Sequence, residues 1–270
     1  MMKLMAFSKK DEVAPDEEFT SGERLYLGVN CAEHDSPQDH FDRYQFARAY
    51  LKPGFTVVDA ACGSGYGSEM LASACKEVVG VEISDHALAW AKEHYEKNNI
   101  SFVKGDLNKP LPLPSSFADA VVSFETLEHV QNQNTMLSEF ARVLKPDGLL
   151  VISSPDKEVI NGPGKTDSGN QFHIHELSKK EMIDLLEKHF IIDELYGQNK
   201  FYQYGTALGT IAAFVKAIDV LNLRRFFLRR INETKADLGM HPFSPIQKIR
   251  RDIPSHNTVI IAVCRKRPGR

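Results

Sequence analysis

A short acidic and glycine-rich run has the residue types of a ligand-binding loop. Asp59 lies four residues before Gly63, and Gly65 and Gly67 follow at alternate positions. Glycine lacks a Cβ, so the backbone of such a loop can approach a ligand closely and can adopt positive φ. A carboxylate at Asp59 would repel a pyrophosphate but would attract an ammonium group. The run therefore predicts a site for a nucleotide-like cofactor that carries positive charge.

Two more carboxylates follow apolar stretches further along the chain. Glu82 ends the run 78–82, and Asp106 closely follows the run 101–104. A carboxylate at the first of these places can accept hydrogen bonds from both hydroxyls of a ribose. Because each acid follows a predicted strand, we expect Asp59, Glu82 and Asp106 to lie at one edge of a parallel sheet.

A third group of polar residues has the composition of a metal site or of an acid–base centre. Glu125 and Glu128 are three residues apart, and His129 adjoins the second. One helical turn could bring these two carboxylates and the imidazole together. Oxygen and imidazole ligands without a thiolate suit Mg²⁺ or Mn²⁺, and less selectively Zn²⁺ or Fe²⁺.

These residues must be held by alternating strands and helices. The hydrophobic pattern predicts strands at 55–60, 77–82, 101–104, 117–123 and 148–153, and helices at 39–51, 65–74, 84–97 and 132–143. Further on it predicts a helix at 178–188, a strand at 190–195, mainly helical structure at 202–231 and a last strand at 257–264. Such alternation is typical of an α/β protein with a doubly wound, mostly parallel sheet.

The bulk composition limits the class of protein. The chain has 270 residues, 42% of them hydrophobic, which is enough for one large or two small domains. Its four cysteines form no CxxC pair, so neither a disulfide framework nor a zinc site is expected. The N-terminus lacks the apolar core of a signal peptide, and no long uninterrupted apolar stretch occurs. We therefore expect a cytoplasmic protein without a transmembrane segment.

Positive charge is concentrated near the C-terminus. The net charge is −3, yet residues 224–270 contain twelve Lys or Arg and three acidic residues. The basic run Arg224–Arg230 could contact an anionic inner-membrane face or the phosphate of a lipid-linked or nucleotide-linked sugar. It could equally be one face of an amphipathic helix. Nucleic acid is not the expected partner, because one basic helix lacks the aromatic interleaving of such sites.

The run from Asp59 to Gly67 resembles the first motif of the class I S-adenosylmethionine-dependent methyltransferases, an acid and two small residues before GxGxG. This resemblance implies a Rossmann-like sheet whose last strand is antiparallel, with S-adenosylmethionine as cofactor. Glu82 would then bind the ribose, and Asp106 the adenine amino group. The cofactor contacts predicted on this basis are Asp59, Gly63, Ser64, Gly65, Glu82, Ile83, Asp106, Leu107, Phe124 and Arg43.

The ExxEH segment resembles two branches of these enzymes, the ubiquinone-pathway O-methyltransferases and the small-RNA 3′-terminal 2′-O-methyltransferases. In the RNA enzymes two Glu, one His and a later His hold a divalent ion that binds vicinal hydroxyls. The corresponding set here is Glu125, Glu128, His129 and His173, with Mg²⁺ or Mn²⁺ as the expected ion. Without a metal, His129 or His173 would be the catalytic general base.

The segments around 21–24, 40–44 and 171–177 resemble methyltransferases of surface-polysaccharide gene clusters, which are thought to methylate sugar hydroxyls. The predicted acceptor is therefore a sugar or glycan, free or phosphate- or lipid-linked. The predicted organisation is an N-terminal mobile arm at 1–20, a methyltransferase core at 21–198, a helical cap at 199–255, and a final strand with a basic tail at 256–270. The sequence leaves the oligomeric state open.

Three alternatives remain at this stage. The first is a small-molecule catechol or quinol O-methyltransferase, in which the same divalent ion would bind the hydroxyls of the acceptor. A non-catalytic binding module would keep the fold, although we would then expect the cofactor acids to be lost. A nicotinamide-dependent oxidoreductase shares the general fold, but a carboxylate at Asp59 disfavours a dinucleotide.

Overall fold

The computed structural model describes residues 24–27, 37–161, 170–200, 246–253 and 257–268. The predicted arm at 1–20, the basic run Arg224–Arg230 and most of the predicted cap lie outside these ranges. None of the helices within them is long and apolar enough to cross a membrane.

The chain alternates strands and helices as the hydrophobic pattern predicts. The helices are α1 (Pro37–Arg48), α2 (Tyr66–Ala72), α3 (Asp85–Tyr95), α4 (Gln133–Val143), α5 (Lys157–Ile160) and α6 (Lys179–Leu186). The strands are β1 (Thr56–Ala60), β2 (Glu77–Glu82), β3 (Ile100–Lys104), β4 (Ala118–Ser123), β5 (Leu144–Pro155), β6 (Phe190–Lys200), β7 (Gln247–Lys248) and β8 (Asn257–Lys266). A 3-10 turn, Leu127–His129, lies between β4 and α4.

All eight strands form one sheet in the order β3-β2-β1-β4-β5-β8-β6-β7. The first five are parallel to one another, whereas β8 is antiparallel to both β5 and β6. This confirms the predicted Rossmann-like sheet with an antiparallel last strand. The strand order reverses between β1 and β4, and ligands of open α/β sheets bind beyond the carboxyl ends of strands at such a point.

The core lies on both faces of this sheet, as a doubly wound fold requires. Successive residues of β1 point to opposite sides: Val57 belongs to one apolar cluster and Val58 to the other. Both are fully buried. Because side chains alternate across a strand, a strand covered on both faces must be apolar throughout. In β1, Val57, Val58 and Ala60 meet this condition, and Thr56 and Asp59 are the polar exceptions.

Helix ends are fixed by local sequence signals. Ser84 is the N-cap of α3, and its side chain accepts a hydrogen bond from the Ala87 amide. Ser178 is the N-cap of α6 and forms a capping box with Glu181. Such caps satisfy amides that lack partners within the helix.

The part of the predicted cap that the structure describes belongs to the sheet edge. β7 pairs antiparallel with β6 through Tyr196 and Gly197. The buried Lys179 side chain holds the segment after β7 by donating hydrogen bonds to the carbonyl oxygens of Arg250 and Ile253. The domain boundaries given above stay predictions.

Candidate active site

The glycine loop between β1 and α2 requires its glycines at two positions. Gly63 and Gly65 have φ of +55° and +91°, which side chains rarely tolerate. A Cβ on Gly65 would also lie 2.8 Å from the Ala91 Cβ and 2.9 Å from the Phe102 ring. The loop therefore packs closely on α3 and β3, and its backbone borders a cavity of about 490 Å³.

Asp59 is the next-to-last residue of β1, the strand that leads into this loop. Its side chain is 1% exposed and accepts hydrogen bonds from Ser68 Oγ at 2.7 Å and Tyr44 Oη at 3.2 Å. Burial raises the pKa of the Asp59 carboxyl to about 7, against the opposing effect of these two hydrogen bonds. The carboxyl thus joins β1 to α1 and α2, and its contact with a cofactor ammonium group stays a prediction.

Glu82 projects from the end of β2 into the cavity and is held on both oxygens. Its Oε2 accepts from the Gly63 amide at 3.0 Å. Its Oε1 accepts from the amides of Ile83 at 3.0 Å and Ser84 at 2.8 Å, and from Arg24 Nη2 at 3.1 Å. The carboxylate is thus fixed at the cavity wall.

Asp106 follows β3 at the same edge of the sheet. Its Oδ1 accepts from the Asn108 amide at 2.9 Å, and Lys109 Nζ lies 3.1 Å from Oδ2. The Asn108 amide first, and Lys109 with it, hold the pKa of this carboxyl below its usual value. Asp106 therefore stays ionised and available as an acceptor.

Most of the predicted cofactor residues meet at this cavity. Those that border it are Gly63, Ser64, Glu82, Ile83, Asp106, Leu107 and Phe124. Asp59, Gly65 and Arg43 are not among the described residues of its lining. Arg43 is buried on α1 and donates to Gln198 Oε1 at 2.7 Å. Its predicted role as a cofactor contact is untested, and its observed contact is with β6.

The second polar group forms the other side of the same cavity. Glu125, Glu128, His129 and His173 all border it. Glu125 follows β4 with φ of +47°, an unusual value for a side-chain-bearing residue. Ser153 Oγ holds it by donating to Oε1 at 2.6 Å and accepting from the Glu125 amide at 3.1 Å. Glu125 is thereby directed toward β5.

Glu128 is the most buried member of this group, at 1% exposure. Ser154 Oγ donates to its Oε2 at 3.1 Å. Burial, and then the nearby Glu125 carboxylate, raise the pKa of Glu128 well above its usual value. A cation close to both carboxylates would oppose that effect.

Hydrogen bonds to Nδ1 orient the two histidines. His129 Nδ1 lies 3.0 Å from the Phe172 carbonyl oxygen, and His173 Nδ1 lies 2.6 Å from Glu176 Oε1. The Phe172 carbonyl can only accept, so His129 donates from Nδ1, whereas the bond between His173 Nδ1 and the Glu176 carboxyl joins two titratable groups. Glu176 is itself held by Asn161 Nδ2 at 3.0 Å. Metal-binding histidines in proteins are oriented in this way by a carboxylate or a carbonyl.

Three of the four predicted metal ligands come together. One ligand atom each from Glu128, His129 and His173 lies within 4.8 Å of the others. The fourth, Glu125, is not part of this group, because its carboxylate bonds to Ser153. The cluster has the oxygen and imidazole ligands that Mg²⁺, Mn²⁺ or Zn²⁺ accept, and its histidines are oriented for ligation.

Sequence reasoning missed Arg24, Ser153, Ser154 and the orienting role of Glu176. Ser153 and Ser154 end the apolar run of β5 beside β4, and polar residues at such a strand end are the signal that would have found them. The contact between Arg24 and Glu82 joins residues 58 positions apart, and no local pattern indicates it.

The chain is similar in sequence to known methyltransferases. Residues 58–152 match the methyltransferase domain family. A probable S-adenosylmethionine-dependent methyltransferase of Mycolicibacterium smegmatis is 35% identical over 177 residues, 66% of each chain. A ubiquinone biosynthesis O-methyltransferase of Glaesserella parasuis is 32% identical over 107 residues, 37% of this chain and 45% of that protein.

The fold has relatives among solved structures as well. An S-adenosylmethionine-dependent methyltransferase from Mesorhizobium loti superposes with a TM-score of 0.55 at 17% identity, covering 83% of this chain and 98% of that one. This likeness concerns the fold alone. The chain spans about half to two thirds of the length of the curated relatives it matches. These matches, the strand order and the glycine loop identify residues 58–152 as a methyltransferase domain, similar to the domains of S-adenosylmethionine-dependent methyltransferases.

Proposed function

We propose that this protein transfers a methyl group from S-adenosylmethionine to a sugar hydroxyl that has a neighbouring hydroxyl. The observation that carries this proposal is the cluster of Glu128, His129 and His173 on the same cavity as Glu82 and Asp106. One side of the cavity has the acceptors that a nucleoside needs. The other has ligands for an ion that binds a diol.

On the cofactor side, the role of each acid follows from its position. Glu82, fixed by backbone amides, accepts the ribose hydroxyls, and the ionised Asp106 accepts the adenine amino group. Ile83 is half exposed beside Glu82, and Leu107 and Phe124 add apolar surface to the cavity. These contacts position the cofactor, which itself brings the activated methyl group.

On the acceptor side, Glu128, His129 and His173 would hold a divalent ion. Such an ion, when bound, increases the acidity of a hydroxyl close to it. The chain supplies the ligand geometry through Ser154, the Phe172 carbonyl and Glu176. Glu125 borders the same cavity, and while Ser153 holds its Oε1, its Oε2 can accept a hydrogen bond from a second hydroxyl of the acceptor.

In the transfer step the acceptor oxygen forms a bond to the methyl carbon while the carbon–sulfur bond of the sulfonium breaks. The products are a methyl ether and a neutral thioether, and the hydroxyl proton leaves the acceptor. In a metal-independent form of the reaction, Nε2 of His173 or His129 accepts that proton. Holding the two reactants in line supplies much of the rate enhancement in such a site.

A catechol or quinol acceptor is the second candidate. It is supported by the relative in ubiquinone biosynthesis and by apolar surface at the acceptor end. Phe172 borders the cavity, and the neighbouring Ile174 is 59% exposed. An aromatic ring with two adjacent hydroxyls would offer the same pair of oxygens to the cluster and would pack against this surface.

The decisive experiment is transfer of a labelled methyl group to matched acceptors. Methyl glycosides with vicinal hydroxyls, the corresponding monodeoxy glycosides and catechol are compared with Mg²⁺, with Mn²⁺ and with a chelator. We expect labelling of a vicinal diol that the chelator abolishes. Labelling of catechol but of no glycoside would show that the acceptor is a catechol and not a sugar. Labelling that does not change with the chelator would support the metal-independent mechanism, in which a histidine is the base.

A second experiment concerns a lipid-linked acceptor held near Arg224–Arg230, and it repeats the assay with anionic vesicles added.

A further inference from the structure

A short segment that precedes the matched domain contributes to the cavity wall. Two residues of the segment 24–27, Arg24 and Leu25, border the cavity. The Leu25 carbonyl accepts a hydrogen bond from Ser64 Oγ of the glycine loop at 2.6 Å. Tyr26 is fully buried and packs edge-on against Trp90 of α3, with ring centroids 5.4 Å apart. The segment is therefore attached to two elements that shape the cofactor site.

Its third attachment is to the acid that we assign to the ribose. Arg24 Nη2 lies 3.1 Å from Glu82 Oε1, and Arg24 is the one side chain among the described donors to this carboxylate. The three amides come from residues of the loop and of the β2 end. Arg24 adds a positive charge on the cavity side, since both side chains border the cavity.

We propose that Arg24 is a positioning residue for the cofactor, holding the Glu82 carboxylate in the orientation that accepts the two ribose hydroxyls. This inference rests on the proposed use of S-adenosylmethionine. Arg24 acts through Glu82 and makes the segment 24–27 a wall of the cofactor site. Its planar guanidinium gives a directional hydrogen bond, which the point charge of a lysine cannot fully reproduce.

The test is calorimetric titration of the full chain with S-adenosylhomocysteine, adenosine and 2′,3′-dideoxyadenosine. We expect Arg24→Ala to raise the Kd for the first two ligands by the same factor, about 10-fold, the lower range for a hydrogen bond to a charged group because Arg24 is partly exposed. The Kd of Arg24→Lys for these two ligands should lie between the values for the wild type and for Arg24→Ala. The dideoxy nucleoside lacks both hydroxyls, so its Kd should not change. Lys97→Ala, which removes an exposed ion pair with Glu69, is the charge-matched control.

The outcomes separate this inference from the proposed function. A wild-type chain that does not bind S-adenosylhomocysteine overturns both. Wild-type binding with an unchanged or lower Kd in Arg24→Ala overturns this inference alone. A loss confined to S-adenosylhomocysteine, with adenosine unaffected, places Arg24 at the amino-acid end of the cofactor and also overturns it. If Arg24→Ala unfolds at a lower temperature without ligand, Arg24→Lys and Arg24→Gln provide the comparison in folded protein.

Discussion

The two sides of the cavity are built differently. On the cofactor side, Glu82 and Asp106 are held mainly by backbone amides of their own strand ends and of the glycine loop. On the acceptor side, Glu125 and His129 are held by a serine side chain and a carbonyl that lie 28 and 43 residues away. The contacts on the cofactor side form within neighbouring strand–loop–helix units. Those on the acceptor side form only when β5 and the segment 170–177 pack against the end of β4 and the 3-10 turn that follows it.

This difference determines how each side of the cavity responds to substitutions. Backbone donors are present whatever the side chains are, so a cofactor site made from them tolerates sequence change around its acids. A centre held by side chains and by one loop can change its chemistry through a few substitutions. We therefore expect variants of the two sides to separate cofactor binding from methyl transfer.

The largest effect should come from the acceptor side. His173→Ala removes a member of the cluster and a candidate base, so methyl transfer should fall by about 100-fold to 10,000-fold, the usual contribution of an acid–base group. The Kd for S-adenosylhomocysteine should stay unchanged. The matched control is His175→Ala, because His175 is exposed and contacts Glu128 only through its backbone amide. A parallel loss of cofactor binding in His173→Ala would contradict the separation.

On the cofactor side, Glu82→Ala should weaken the binding of S-adenosylhomocysteine. It removes the acceptor of two ribose hydroxyls, so we expect the Kd for S-adenosylhomocysteine to rise by about 100-fold, roughly 1.5 kcal/mol for each hydrogen bond to a charged group. Calorimetry measures this directly. Exposed Glu93 on α3 offers the control substitution Glu93→Ala. Unaltered binding by the Glu82 variant would remove this acid from the cofactor site.

A smaller effect, on the affinity for a metal ion, is expected from Glu176, which contacts His173 of the cluster. Glu176→Ala removes the partner of His173 Nδ1, so the affinity for Mn²⁺ should fall by about 10-fold, as for other residues that orient metal ligands. Glu176→Gln keeps an oxygen acceptor and should stay close to the wild type. Both are measured by titrating the protein with Mn²⁺ and recording free ion by electron paramagnetic resonance. Equal affinity in all three proteins would show that Glu176 does not orient the histidine.

The smallest effect concerns stability and pH. The Asp59 carboxyl has a pKa of about 7 when folded and 3.8 as its ordinary value. Between these values the folded state holds a proton that the unfolded state has lost, so the stability contributed by this group falls as pH rises from about 4 to 7. Asp59→Asn cannot ionise and should lose this dependence.

Thermal unfolding of both proteins at pH 5 and pH 8 measures the change. At pH 8 the variant should be the more stable by about 1 kcal/mol, because the full benefit is reduced by an amide group that needs its own partners. At pH 5 the two should be closer. A variant that is destabilised most at pH 8 would mean that the ionised carboxylate is the stabilising form.

Much of the molecule follows from local pattern. The run Thr56–Ala60 and the glycines after it predict a buried strand and a loop, because apolar continuity and positive φ are local requirements. The acids of the cofactor side are found in the same way, since Glu82 ends β2 and Asp106 lies two residues after β3. The hydrogen bonds of Asp59 to Ser68 and Tyr44 were not predicted, and its contact with the cofactor stays a prediction.

The sequence by itself determined the fold class, the cofactor family and the set of candidate ligands, because strand period, loop glycines and residue types are encoded locally. Only the tertiary structure decided which ligands meet. Glu128 and His129 reach His173 because the amides of Ile174 and His175 bond to the Glu128 carbonyl. Glu125 is directed to Ser153 instead, and Arg24 reaches Glu82 from 58 residues away. These contacts depend on how distant segments pack against one another, and the spacing of residues along the chain does not predict that packing.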